Sequence, residues 1–396
     1  MALFDKFQQI AEARRAIAET GVTSINVVME QVISPTEAII NGRRTILAGT
    51  NNYLGLTFHP ECVEAACQAL RSEGTGTTGS RAANGNYQGH MELERELAEF
   101  FGYRSVIVFS TGYVANLGMI ATLTGPGDVL LIDADSHASI YDGCRLSGAE
   151  IIRFRHNDPA DLEKRLRRLG ARAANTIVVV EGIYSMLGDR APLADIAAVK
   201  RTYGAFLLVD EAHSLGVLGD HGRGLAEEAG VESDVDFTIG TFSKSLGAIG
   251  GYCASNHPEL DLIRYANRPY VFTASPSPSI VASTRKALAL LQAHPELRHR
   301  LWEQSRRLYG RLASLGFSLG PEPSPIIAVR LATREQTLAM WSMLLERGVY
   351  VNWVVPPASP DGSSLLRCSV SAGHTPEQID AIGDAFAELK QIAGVS

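Results

Sequence analysis

The middle of the chain alternates short apolar runs with longer stretches of mixed character. The runs are SVIVF (Ser105–Phe109), DVLLID (Asp128–Asp133), EIIRF (Glu150–Phe154), TIVVVEG (Thr176–Gly182), AFLLVDEAH (Ala205–His213) and DFTIG (Asp236–Gly240). Each is too short for a helix and nearly continuous in apolar residues, which is the pattern of strands buried on both faces. Between them lie helix-like stretches such as PADLEKRLRRL and LADIAAVKRTYG. This alternation predicts an α/β domain built around a mainly parallel sheet. After about Ser279 the pattern changes. A long helical stretch reaching Gly316 leads into PIIAVRL, another helix, GVYVN, LLRCSV and a final helix, which reads as a smaller α+β domain. The expected organisation is an N-terminal arm over 1–50, a large domain over 51–280 and a small C-terminal domain over 281–396. No internal repeat or low-complexity linker is present.

Composition supports that size and excludes some functions. The 396 residues are 45% hydrophobic, enough for a large core and two domains. The net charge is −7 with both signs interspersed, so no basic footprint for a nucleic-acid partner exists. Cys62, Cys67, Cys144, Cys253 and Cys368 are too scattered for a disulfide framework and lack the paired spacing of a metal site. Free thiols, a cytoplasmic location and no metal are therefore expected. The N-terminal segment carries Asp5, Lys6, Glu12, Arg14 and Arg15, so it lacks the apolar block of a signal peptide. Leu3, Phe4, Phe7 and Ile10 lean to one side of a potential amphipathic helix, which suits packing on the body or on a partner subunit. Membrane contact is expected to be peripheral at most, because no apolar run approaches the roughly 20 residues that span a bilayer.

In open α/β sheets, ligands bind beyond the carboxyl ends of the strands. The tips EGIYSMLGD, DEAHS and GTFSKS therefore carry the interest. Gly74–Gly79, GTGTTG, fits the spelling of a dinucleotide fingerprint, but it follows a helical run rather than a strand, and no dinucleotide site is expected. Lys244 lies among serines and glycines in GTFSKSLGAIGGY. A desolvated lysine amine is a usable nucleophile and forms a Schiff base with an aldehyde such as pyridoxal phosphate. Thr241 and Ser243 could donate to its phosphate. Asp210 ends an apolar strand, where a carboxylate could keep a pyridine nitrogen protonated, and His213 follows three residues on. His137, in a loop after a strand, could stack on the ring. Gly112 and Tyr113 stand between a strand and a helix, and a helix N-terminus is a ready phosphate seat. Taken singly, these are an ordinary turn lysine, a capping aspartate and a loop histidine. Their succession at strand ends is what sets them apart.

The segments NNYLGLTFHP, GTGTTGSRAANGNYQGHMELERELAEFFG, FSTGYVAN, DSHASIYDG, EGIYSMLGD, DEAHSLGVLGDHGRG, GTFSKSLGAIGGY and LLRCSVSAGHT span nearly the whole chain. Through them it resembles the α-oxoamine synthase family of fold-type I pyridoxal-phosphate enzymes. The resemblance implies a large domain with a mainly parallel mixed sheet and a smaller α+β C-terminal domain. It also implies pyridoxal 5'-phosphate as cofactor and a decarboxylating Claisen-type condensation of an amino acid with an acyl thioester. TGTTGSR, DADSHASIYDGC, RPYVFTAS and PPASPDG followed by LLRCS are similar to members that take L-serine and a long-chain acyl-CoA, palmitoyl-CoA. Members using glycine, alanine or another thioester are the alternative. An aminotransferase of the same fold, or a weakly catalytic subunit, stands further off because Lys244 is present.

Residue by residue, the resemblance makes Lys244 the covalent anchor and the base at the α-carbon. Asp210 pairs with the pyridine nitrogen and His137 stacks on the ring. His213 and Ser185 contact the phenolic oxygen, while Gly112, Tyr113, Thr241 and Ser243 hold the phosphate. Asn52, Tyr53 and Thr273 match positions that reach the site from a partner subunit, which implies a homodimer with composite sites. Arg367 is the candidate for the substrate carboxylate. One departure stands out: Val355 occupies the place of an arginine before the paired prolines.

Overall fold

In the computed structural model of the chain, residues 3–19, 27–356, 359 and 362–393 are described. Part of the PPASPDG segment, Pro357, Ala358, Pro360 and Asp361, lies outside the described residues. The chain divides into two compact units, one of residues 51–185 and 189–301, the other of residues 1–50, 186–188 and 302–396.

The first unit is built on a seven-stranded sheet. Across it the order is Ser105–Phe109, Gly251–Ser255, Phe237–Thr241, Phe206–Asp210, Thr176–Glu181, Val129–Asp133 and Glu150–Phe154. Gly251–Ser255 is antiparallel to both neighbours, and the remaining pairings are parallel. The six expected strands are all present, to within three residues at their ends. Sequence reading missed Gly251–Ser255 because GYCAS has neither alternation nor a long apolar run. The strands read as buried on both faces because helices cover them. Ala115, Met119 and Ile120 of the helix Gly112–Leu123 pack on Ile107, Phe109, Leu130, Ile132, Leu208 and Ile239, all at most 2% exposed. The missed strand passes directly under the start of that helix. A Cβ on Gly251 would lie 2.6 Å from the Gly112 nitrogen, so no larger residue fits.

The sequence reading opened the small domain at 281, whereas the helix Pro278–Ala293 belongs to the first unit. It packs on the helices Pro60–Glu73 and Gln88–Phe101, and Arg285 pairs with Glu92 and Glu96. Pro295 separates it from the next helix, Glu296–Ser314, since proline cannot donate to a continuing helical ladder.

The second unit holds two small sheets. In one, Gln31–Ser34, Glu37–Ile40 and Arg43–Leu47 form an antiparallel meander to which Val349–Tyr350 adds in parallel. Residues of the expected N-terminal arm thus share a sheet with the C-terminal segment. In the other, Ser364–Ser369 lies between Ile326–Leu331 and Asn352–Val354. Among the described residues, no helix is long and apolar enough to cross a membrane.

Candidate active site

The parallel strands end on one side of the sheet, and the loops that leave them enclose a cavity of about 350 Å3. Gly112, Tyr113, His137, Asp210, His213, Thr241, Ser243 and Lys244 line it, residues that the sequence reading drew from four separate segments.

The strand Phe206–Asp210 delivers Asp210 to the cavity floor, 4% exposed. A carboxylate there needs donors. Asn116 Nδ2 donates to Oδ2 at 2.6 Å, and the Ala212 backbone N–H donates to Oδ1 at 2.9 Å. Lys244 follows the strand Phe237–Thr241 and is half-buried. Its turn is closed by Gly247 N–H donating to the Lys244 carbonyl at 3.0 Å, and Gly247 holds φ +61°. A Cβ at Gly247 would sit 3.0 Å from the Thr57 nitrogen, so both conformation and space demand glycine.

His137 caps the helix Ala138–Ser147. Its Nδ1 accepts from the Ser139 N–H at 3.2 Å and lies 2.7 Å from Ser139 Oγ. In the neutral ring this leaves the proton on Nε2. Burial holds the imidazole below its ordinary value, with Asp210 pulling it up and Lys244 pushing it down. Tyr113 approaches the His137 ring edge-on, centroids 6.2 Å apart, and its hydroxyl donates to Asp142.

The N-terminus of the helix Gly112–Leu123 also lines the cavity, capped by Thr111, whose side chain accepts from Val114 N–H. Thr241 Oγ1 and Ser243 Oγ lie 2.9 Å apart beside it. A Cβ on Gly112 would come 2.8 Å from the Thr241 Cβ, so the chain there closes tightly around the hydroxyl pair. The lining thus offers two kinds of partner. Helix N–H groups and hydroxyls suit an anion, and an acceptor-only carboxylate suits a protonated nitrogen. The amide oxygen Asn116 Oδ1 is buried in the same wall with no hydrogen-bond partner among the described residues. A phosphate-bearing pyridine aldehyde fits these residues.

Tyr53 is fully buried, and its hydroxyl lies 2.7 Å from His213 Nδ1 in the same chain. This contact links Tyr53 to a histidine of the cavity lining. Asn52 is buried with its Nδ2 on Thr57 Oγ1 at 2.8 Å. Ser185 and Thr273 are half-buried and stand off the cavity lining. Arg367 is 6% exposed on the middle strand of the second unit's three-stranded sheet, with Nη1 on Ser369 Oγ at 2.8 Å. Val355 is buried in that unit.

Sequence reading missed Asn116, Ser139 and Glu181, which also line the cavity. Glu181 ends an apolar strand just as Asp210 does, a signal that was present in EGIYSMLGD. Asn116 and Ser139 gave none, because a polar residue near the start of a helix faces a site only once the helix is docked.

The family model for aminotransferase class I and II matches residues 44–386. A serine palmitoyltransferase of Caulobacter vibrioides is 57% identical over 395 residues, covering 100% of this chain and 98% of the relative. One of Sphingomonas paucimobilis is 51% identical, covering 99% of this chain and 94% of the relative. A solved SPT carrying a PLP internal aldimine superposes with a TM-score of 0.98 at 50% identity, covering 100% of both chains. On matches of this length, the chain belongs to the aminotransferase class I and II family and, within it, to the α-oxoamine synthases that the sequence resembles.

Proposed function

We propose that the protein is a pyridoxal-phosphate enzyme that condenses L-serine with a long-chain acyl-CoA, palmitoyl-CoA in the first instance. The products are 3-ketosphinganine, CoA and CO2, in the reaction that opens sphingolipid synthesis. The observation that carries this is the meeting of Lys244, Asp210, His137 and a helix N-terminus on one cavity. The full-length likeness to serine palmitoyltransferases supports the substrates.

When bound, the cofactor supplies an electron sink that makes the amino acid's α-proton removable. The Lys244 amine would anchor it and would move the proton at the substrate's α-carbon. Asp210, held by Asn116 and Ala212, would keep its ring nitrogen protonated. His137, its imidazole fixed by Ser139, would pack against its ring. The helix N-terminus at Gly112 and Tyr113, with the Thr241 and Ser243 hydroxyls, would hold its phosphate. His213, steadied by Tyr53, and Ser185 would serve its phenolic oxygen. Arg367 would take the serine carboxylate through a bidentate fork. The α-carbon bonds to the thioester carbonyl, CoA leaves as the thiol, and the carboxyl group departs as CO2.

Asn52, Tyr53 and Thr273 are assigned to the composite sites of a homodimer. Leu262, Tyr265 and Phe272, each at least 70% exposed, give the region preceding Thr273 an apolar surface that a second subunit would cover. Five free thiols suit a reducing cytoplasm.

Incubation with serine and palmitoyl-CoA should release CoA thiol and CO2 in equal amounts and yield the amino ketone. Faster turnover with glycine or alanine would instead assign a sibling reaction. His137→Phe should keep the cofactor bound yet slow condensation about tenfold, the worth of one hydrogen bond to a charged group. Decarboxylated or transaminated serine should rise in that variant, and unchanged condensation would reduce His137 to a packing role. Arg367→Ala should weaken serine binding by about 10- to 100-fold in absorbance titrations. Wild-type affinity in that variant would place another cation on the carboxylate.

A further inference from the structure

Two carboxyl groups end neighbouring strands in this site. Glu181 and Asp210 are register partners across the parallel pair Thr176–Glu181 and Phe206–Asp210, and both line the cavity. Glu181 is 3% exposed and Asp210 4%. Adjacent buried carboxyls do not both ionise, since repulsion in a low dielectric adds to the loss of hydration. The question is which one keeps the proton.

The hydrogen-bond partners decide. Both oxygens of Asp210 rest on N–H donors, from Asn116 and Ala212, as an anion requires. Glu181 takes the backbone N–H of His137 on Oε1 at 2.5 Å, a contact that a neutral carboxyl makes equally through its carbonyl oxygen. The groups around Glu181 argue the same way. Burial and the neighbouring charge of Asp210 push its carboxyl well above the usual range, and Asp133 adds to this. The His137 N–H and Lys244 pull the other way without offsetting it. Tyr184, whose hydroxyl meets the Glu181 backbone N–H at 3.4 Å, brings no cation. His156, the nearby imidazolium, is spent on Asp133 and Asp189 at 2.8 and 2.6 Å.

We propose that Glu181 is a positioning residue that stays a neutral carboxylic acid, pinning the backbone of His137 and leaving Asp210 as the sole anion of the strand pair. No atom is transferred. Glu181 sets the height of the His137 ring through its N–H, and its neutrality leaves the full charge of Asp210 to a cation bound in the cavity. That last consequence rests on the proposed cofactor. The protonation state does not.

Infrared difference spectra of the full-length purified protein, wild type against Glu181→Gln at neutral pH, separate the two. The expected result is loss of a protonated-carboxyl carbonyl band that shifts in heavy water. Loss of carboxylate bands instead overturns the proposal. Raising the pH from about 7 to about 8.5 should leave in place, in the wild type, the band that Glu181→Gln removes, as distinct from any band of the buried Glu211, whereas an ionised glutamate shows no such band at either pH. Cofactor binding and turnover give the second readout. Glu181→Ala should lose about tenfold or more in both, from an orphaned, part-buried N–H. Glu181→Gln, which keeps a neutral carbonyl acceptor, should recover most of the cofactor affinity and retain the wild-type shape of the pH–rate profile. A glutamine variant no better than alanine, or with a shifted profile, means that a charge was lost and the proposal is wrong. If the infrared band appears but no cofactor binds, the protonation stands and the reading of the site fails.

Discussion

Lys244→Ala is expected to bind pyridoxal phosphate without a covalent link and to turn over serine and palmitoyl-CoA at least about 1000-fold more slowly than the unaltered protein. The size follows from the two duties proposed for one amine. A positioned general base contributes about 100- to 10,000-fold, and the covalent anchor is lost with it. Nothing else at the mouth of the strand Phe237–Thr241 replaces it, since Thr241 and Ser243 carry hydroxyls engaged with each other. Borohydride reduction of the purified protein followed by peptide mapping locates the anchor independently of activity. Label on the peptide containing Lys244 is the expected result, and label on any other lysine removes the assignment.

The largest effect on stability is expected at His156, away from the cavity lining. Its Nδ1 meets Asp133 at 2.8 Å and its Nε2 meets Asp189 at 2.6 Å, while its ring lies edge-on to Tyr184 at 4.5 Å. Asp133 is fully buried and Asp189 is 7% exposed. Burial alone would lower the imidazole, but the two carboxylates outweigh it and push it up to about 10. His156→Leu therefore leaves two buried carboxylates without their cation, a change that typically costs about 3–5 kcal/mol. The sign of the pH dependence follows. A histidine raised in the folded state contributes fully below its unfolded value of about 6.5, and that contribution fades as pH rises towards about 10. The stability gap between wild type and variant should thus shrink by about 1.4 kcal/mol per pH unit across that window. Denaturant unfolding at several pH values between these limits measures it. A gap that stays constant would show that His156 acts through packing alone.

The network around His156 also shows where sequence reading stops. Asp133 lies at the end of a recognised strand, yet its partners come from residues 156 and 189, brought beside it by the parallel pairing of Val129–Asp133 with Glu150–Phe154 and Thr176–Glu181. No local pattern announces that. Glu181 is the sharper instance. It closes an apolar run in the same manner as Asp210, but only the register between the two strands sets their carboxyls side by side in one wall. Tyr53 is a third instance, since nothing in its own segment announces that its hydroxyl lies 2.7 Å from His213 Nδ1.

Apolar continuity along six segments was enough to identify a buried parallel sheet, because strands covered on both faces leave no room for polar alternation. The position of Lys244, Asp210 and His137 at the ends of those segments was enough to place them on one side of it, because a parallel sheet gathers all its carboxyl ends together. These are properties of period and order, and a linear chain carries both. The strand Gly251–Ser255, the inclusion of the helix Pro278–Ala293 in the first unit, the sheet shared by residues 31–47 and 349–350, and the pairing of Glu181 with Asp210 were settled by packing. Each depends on which surfaces meet across long separations in the chain, and burial and hydrogen-bond satisfaction choose among such meetings only once the backbone has closed around them.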